Sequence, residues 1–209
     1  MYRTQATLLG VLVITLLGIG CATGPRPIAW DRLPFPKDSD WHGPRGEPAV
    51  MGQGDVLLHG QDVRTQRAYA APVTIECDVM LESRTASDGS FDLYFLPTGQ
   101  PLDVIPRQLT KFRIIYSNTG DYGSADRLEI DRQEGTRGFP VWTGPPFKVE
   151  AGKVYHVKIN VLAAGKLNIN VNGVDSSIPD TVTVPRSFQV QLGGWQPANR
   201  WRVRNFSIH

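Results

Sequence analysis

The sequence predicts an all-β protein made of two antiparallel sheets stacked face to face. Three observations carry that expectation. Apolar and polar residues alternate along several separate segments, Asn172-Gly173 supplies a two-residue hairpin turn, and no stretch of ten or more residues repeats its apolar positions every 3.6 residues. Strict alternation gives each strand one buried and one polar face, as stacked antiparallel sheets require. Both turn residues tolerate positive φ, which a tight hairpin demands. About ten to fourteen strands are expected.

Composition narrows the class further. The chain has 209 residues, with 22 Lys and Arg against 20 Asp and Glu, for a formal charge of +2. That balance gives no concentrated basic face, so a nucleic-acid partner is not expected. Apolar residues make up 41% and charged residues 20%, which is globular and not disordered composition. Two cysteines exclude a disulfide framework.

The N-terminus has one early charge, Arg3, then an apolar core from Leu8 to Gly20. A bilayer-spanning helix needs roughly 20 such residues, and this core is shorter, so a signal peptide over residues 1–20 is expected. Leu17-Gly18-Ile19-Gly20-Cys21 resembles a bacterial lipoprotein signal, although Gly18 stands where that family usually has Leu. The resemblance implies that Cys21 is lipidated and that the protein is exported and membrane-anchored, on the periplasmic side or at the cell surface. An ordinary signal peptide or an uncleaved anchor is the alternative. Cys77 then has no partner, and its place on an apolar strand face makes it a packing residue.

Residues 21–47 hold Pro25, Pro27, Pro34, Pro36 and Pro44, a density that opposes helix and suits an extended tether. Trp30, Phe35 and Trp41 imply that part of this segment packs onto the domain. The domain itself is expected over 48–209. Its clearest strands are Val73 to Leu81, Phe91 to Phe95, Tyr155 to Val161, Leu167 to Val171 and Phe188 to Leu192. In the final stretch Trp201 and Val203 have one parity, Phe206 and Ile208 the other. A one-residue bulge near Arg204-Asn205 would bring all four inward.

Two regions carry a family likeness. Gly152 to Ile159 with Gly165 to Gly173, and Phe188 to Trp195 with Trp201 to Phe206, resemble the late strands of concanavalin A-like lectin/glucanase domains. That superfamily includes laminin-G-like modules and family 16 glycoside hydrolases. The resemblance implies a jelly-roll sandwich whose concave face, in many relatives, holds carbohydrate. It does not by itself assign a function.

Glu129-Ile130-Asp131-Arg132-Gln133-Glu134 fits the E-x-D-x-x-E spacing of family 16 hydrolases. The resemblance implies Glu129 as nucleophile, Glu134 as acid/base and Asp131 between them tuning their protonation. Retaining hydrolysis needs two carboxyls about 5–5.5 Å apart. Glu129 and Asp131 share a strand face, but Glu134 is an odd number of residues from Glu129, so the trio requires a bulge between Asp131 and Glu134. The family has Gly where this chain has Leu128, and apolar residues where it has Arg132 and Gln133. The plain alternative is a strand with Leu128 and Ile130 inward and Arg127, Glu129 and Asp131 solvated. Arg127-Leu128-Glu129 also loosely matches the R-x-E strand of alginate lyases, but Gln189-Val190-Gln191 lacks the histidine of their Q-x-H strand.

For glycan binding the candidates are the outward amides Asn168, Asn170, Gln189 and Gln191, with Trp195 and Arg200 in the adjoining loop. If their strands pair, they form a polar floor with an aromatic rim; otherwise they are a solvated outer face. Trp142, before Gly144-Pro145-Pro146, is either a stacking platform or a lid on the core, and Trp201 is expected in the core. No cofactor is expected; Asp88-Gly89 with Asp92, and Asp121 with Asp126, are turn acids that in related modules sometimes bind Ca²⁺. The leading expectation is a polysaccharide-binding module without chemistry of its own. A glycoside hydrolase is the runner-up, and an adhesion module recognising protein is the third possibility.

Overall fold

The computed structural model describes residues 28–32, 49–50, 55–60, 62–84, 88–101, 108–117, 126–134, 137–195 and 199–209. Cys21, the apolar leader and Asp121 lie outside the described residues. The described chain forms fifteen strands, several only two or three residues long. In order, they are β1 (Trp30–Arg32), β2 (Ala49–Val50), β3 (Val56–Leu58), β4 (Val63–Thr65) and β5 (Tyr69–Ala70). Then come β6 (Val73–Ser83), β7 (Asp88–Pro97), β8 (Gln108–Ser117), β9 (Arg127–Glu134) and β10 (Arg137–Pro146). The last five are β11 (Val154–Val161), β12 (Leu167–Val171), β13 (Val174–Ser176), β14 (Ser187–Trp195) and β15 (Arg200–Ile208).

They assemble into two antiparallel sheets. The front sheet runs β1-β4-β14-β7-β8-β9-β10, with β5 also on β14; the back sheet runs β13-β12-β11-β6-β15-β3-β2. Strands adjacent in space are often distant in sequence, as β4 beside β14 shows, so the sandwich is held by long-range pairing. β1 draws residues of the Pro-rich segment into the domain by pairing with β4, and Trp30 packs on Phe206 with ring centroids 5.0 Å apart. The sandwich therefore begins earlier in the chain than residue 48.

The alternation seen in the sequence places the core. Phe91, Leu93 and Phe95 of β7, Phe112 and Ile114 of β8, and Phe188, Val190 and Leu192 of β14 meet Ile75, Cys77 and Val79 of β6 and Val157 and Ile159 of β11. Cys77 is fully buried, and burial pushes its thiol well up, away from thiolate chemistry. Each large aliphatic or aromatic side chain removed from water here contributes roughly 1.5–3 kcal/mol. Asn172 (φ 53°) and Gly173 (φ 83°) form the turn between β12 and β13, both left-handed as the hairpin requires.

The bulge in β15 is present. Arg204 pairs with Asp78 and Ser207 with Glu76, so β15 carries one residue more than β6 across this step. Asn205 absorbs it at φ 51° and donates through Nδ2 to Asp78 Oδ2 at 2.7 Å. Trp201, Val203 and Phe206 are thereby all buried, and Ile208 packs against them. At the far edge of the front sheet, β10 contains Pro140, Pro145 and Pro146 and two register shifts against β9.

Candidate functional site: the outer face of the front sheet

Side chains on the outer face of the front sheet point away from the core, yet many are buried. Arg64 is 2% exposed, Asp92 2%, Glu129 4% and Asp131 3%. The back sheet behaves differently: along β11 the outward Val154 and His156 are exposed, and Lys158 and Asn160 are half-buried. The front sheet therefore carries outward-pointing polar side chains withdrawn from water.

Register explains how that surface is built. One row across the sheet runs Arg64, Gln191, Tyr94, Lys111, Asp131 and Pro140. The next row runs Gly193, Asp92, Arg113, Glu129 and Thr143. Opposite charges stand directly across from one another on neighbouring strands, the favourable cross-strand arrangement. The Arg113 guanidinium is the hub. It donates from Nε to Asp92 Oδ1 at 2.9 Å, from Nη1 to Asp131 Oδ2 at 3.0 Å and from Nη2 to Ser90 Oγ at 2.9 Å.

Around that hub the other groups are held in turn. Lys111 Nζ lies 3.7 Å from both Asp92 Oδ2 and Asp131 Oδ2, and 5.5 Å from the centre of the Tyr94 ring. Ser90 and Tyr94 donate their hydroxyls to Asp92 at 2.6 and 3.1 Å. Arg127 Nε donates to Glu129 Oε2 at 2.7 Å. On the other flank, Gln191 Nε2 donates to Asp62 Oδ2 at 2.6 Å, while Arg64 donates to Gln191 Oε1 at 3.2 Å and to the Gln100 carbonyl at 2.7 Å. Gly193 makes room for Asp62: a Cβ there would lie 2.4 Å from Asp62 Oδ1.

The carboxyls on this face are driven apart in protonation. Asp92 is lowered to about 2: burial raises it, but Arg113, Lys111 and the Ser90 hydroxyl together stabilise the anion more. Glu129 is raised to about 7, first by burial and then by its hydrogen bond with Asp131, with Arg127 opposing. Asp62 is also raised to about 7, chiefly by loss of water, against the Gln191 hydrogen bond.

The candidates read from the sequence distribute unevenly over this geometry. Gln189 and Gln191 lie on the face, though Gln189 Nε2 is committed to the Thr65 carbonyl at 2.8 Å. Glu129 and Asp131 lie on it too, buried and paired where a solvated strand was the plain alternative. Glu134 does not join them. β9 keeps an unbroken register with β8 from Arg127 to Glu134, so no bulge reverses its parity, and Glu134 is exposed on the opposite face. The E-x-D-x-x-E trio does not converge.

Asn168 and Asn170 are on β12 of the back sheet, separated from Gln189 and Gln191 by the whole sandwich, so the four amides form no common floor. Asn168 borders a shallow groove with Thr74, Asn160 and His209. Asn170 instead shapes its hairpin, donating to Asp175 Oδ1 and accepting from Gly173 N, both at 2.8 Å. Arg200 is at the start of β15 in the back sheet, where its Nε is 3.6 Å from Glu82. Trp142 packs on the core from edge strand β10, opposite Ile130, and so acts as a lid. Trp195 ends β14 opposite Ser90, its side chain outside the described residues.

The acids considered for Ca²⁺ have other partners. Asp92 is enclosed by cations, and Asp126 accepts from Ser117 N at 3.0 Å and Val149 N at 2.9 Å, clamping two chain segments. No group of three or more His, Cys, Asp or Glu able to hold a metal occurs among the described residues.

Sequence reasoning passed over Arg64, Asp62, Tyr94, Lys111 and Arg113. The signal was available in β8, where Lys111 and Arg113 alternate with Phe112 and Ile114, placing two cations on the polar face of a strand bound for the sheet centre.

No family model matches the chain, and no curated protein matches it. Solved structures do. The carbohydrate-binding module CBM66 from Bacillus subtilis superposes with a TM-score of 0.58 at 13% identity, covering 88% of this chain and 96% of that one. The fold is a concanavalin A-like jelly roll. The carbohydrate recognition domain of Emp47p shares it, with a TM-score of 0.57 at 13% identity over 90% of each chain. So does a Bacillus subtilis protein of unknown function with a galectin-like fold, with a TM-score of 0.53 at 12% identity over 76% of this chain and 79% of that one. At these identities the likeness is one of fold.

Proposed function

We propose that this jelly roll is an exported carbohydrate-binding module that takes polysaccharide on the recessed face of its front sheet. The observation carrying the proposal is the double row of outward-pointing but buried polar side chains from Arg64 to Asp131. Sugar hydroxyls pair with amides, carboxylates and guanidinium groups, and groups already locked by mutual bonds lose little entropy when a ligand arrives. The resemblance to CBM66 and to a carbohydrate recognition domain supports the same reading. The leader-like N-terminus supports export with Cys21 lipidated, which the mass of the mature N-terminus would test.

Hydrolysis is the second reading, and one observation favours it: Glu129 is held protonated up to about 7 beside Asp131, as a general acid would be. Among the described residues, Glu134 faces away and Asp92 is engaged by Ser90, Tyr94, Arg113 and Lys111, so neither stands as a free second carboxylate. A glycan-array screen of the purified protein, with each hit assayed for new reducing ends, separates the two. Binding without new reducing ends, weakened by Gln191→Ala, is the expected result. Cleavage abolished by Glu129→Gln would establish the hydrolase instead, and binding indifferent to substitutions on this face would refute the location.

A further inference from the structure

The cations of the recessed face have already been spoken for. Arg113 is bonded to Asp92 and Asp131, Lys111 lies between the same two carboxylates, and Arg127 is bonded to Glu129. Their side chains are only 11–15% exposed. Arg64 is 2% exposed and directs its two terminal nitrogens at carbonyl and amide oxygens. An incoming sulfate or uronate would have to break one of these buried pairs or lie beside Asp62, Asp92, Glu129 and Asp131. Removing one partner from a buried ion pair leaves a charge without compensation, which is strongly unfavourable.

We propose, resting on the carbohydrate-binding reading, that the recessed face selects uncharged glycans and rejects uronate- or sulfate-bearing ones. One polar atom of the face agrees with this. Asp131 Oδ1 is a buried acceptor that receives no hydrogen bond. A sugar hydroxyl both donates and accepts, so it can offer a carboxylate oxygen the proton it lacks. A carboxylate or sulfate only accepts and has nothing to offer Asp131. The charge pattern thus works as a filter on the ligand as well as a scaffold for the face.

The test uses the purified protein and matched polymers. Neutral glucans, xylans, mannans, galactans and fructans are screened by affinity electrophoresis. The best neutral ligand is then compared with its own derivative, in which primary hydroxyls have been oxidised to carboxylates, and with dextran sulfate and polygalacturonate. The expected result is at least tenfold tighter binding of the neutral polymer, unchanged between 50 and 500 mM NaCl. Asp131→Asn, which removes one carboxylate while keeping its shape, should narrow that preference severalfold by strengthening binding of the oxidised polymer. Equal binding of neutral and oxidised forms, or tighter and salt-sensitive binding of the anionic polymers, would overturn the selectivity while leaving carbohydrate binding in place. Retention of no polymer of either kind would overturn both.

Discussion

Arg113 Nη1 donates to Asp131 Oδ2 at 3.0 Å from the neighbouring strand, while its Nε holds Asp92 on the strand to the other side. One guanidinium therefore joins β7, β8 and β9 through side chains, in addition to their backbone ladder. Replacing it with alanine strands two buried carboxylates. Arg113→Ala should cost about 3–5 kcal/mol in urea denaturation. Arg113→Lys, which keeps the charge but not the fork of donors, should recover only part of that loss.

Stability should depend on pH through Glu129 and Asp62. Both have folded-state values raised to about 7, so each contributes stability that is complete below its unfolded value and is lost as pH rises toward and through 7. Asp92 works in the opposite direction: lowered to about 2, it stabilises the fold above its ordinary range and ceases to do so only as pH falls toward 2. Thermal unfolding should therefore peak near pH 4–5, with the midpoint falling on the order of 5 °C by pH 8. Glu129→Gln mimics the protonated acid and should flatten part of that decline. An unchanged slope in this variant would show that Glu129 does not carry the effect.

Gly193 and Asp62 should behave as a coupled pair. A methyl group at position 193 would lie 2.4 Å from Asp62 Oδ1 and force the carboxylate off Gln191. Gly193→Ala should destabilise by about 1–3 kcal/mol in the wild-type background. In an Asp62→Ala background the same change should be nearly neutral, and the double-mutant cycle measures the difference.

Asp126 offers a test away from the proposed face. Its two oxygens accept the amides of Ser117 and Val149, joining the end of β8 to the segment after β10. Asp126→Ala leaves both amides without this acceptor and should cost about 2–4 kcal/mol. Asp126→Asn retains one acceptor oxygen and should cost less. Addition or chelation of Ca²⁺ should leave the unfolding midpoint of the wild-type protein unchanged.

Much of the architecture was legible because burial imposes a period on strands. Cys77 in the core, the Asn172-Gly173 turn and the bulge at Asn205 each follow from local chemistry or from a parity that must be reconciled. Which strands share a sheet was not legible in the same way. Asn168 and Gln189 have equivalent outward parity in their own strands, and nothing local states that β12 and β14 belong to opposite sheets. The hub of the face was missed for a related reason. Asp92, Arg113 and Asp131 come from three strands, and their convergence is a property of register that no one strand states, while Arg113 alone reads as an ordinary charged residue on a solvated face.

Strand β10 has a consequence for how copies of this protein meet. Its three prolines carry no amide hydrogen, and its two register shifts break the regular ladder a neighbouring strand would need. Among the described residues the back sheet ends in strands of only three and two residues, β13 and β2. Neither the β10 margin nor those short ends gives a second molecule a long template to zip onto. Many copies can therefore crowd together without their sheets fusing into a fibre.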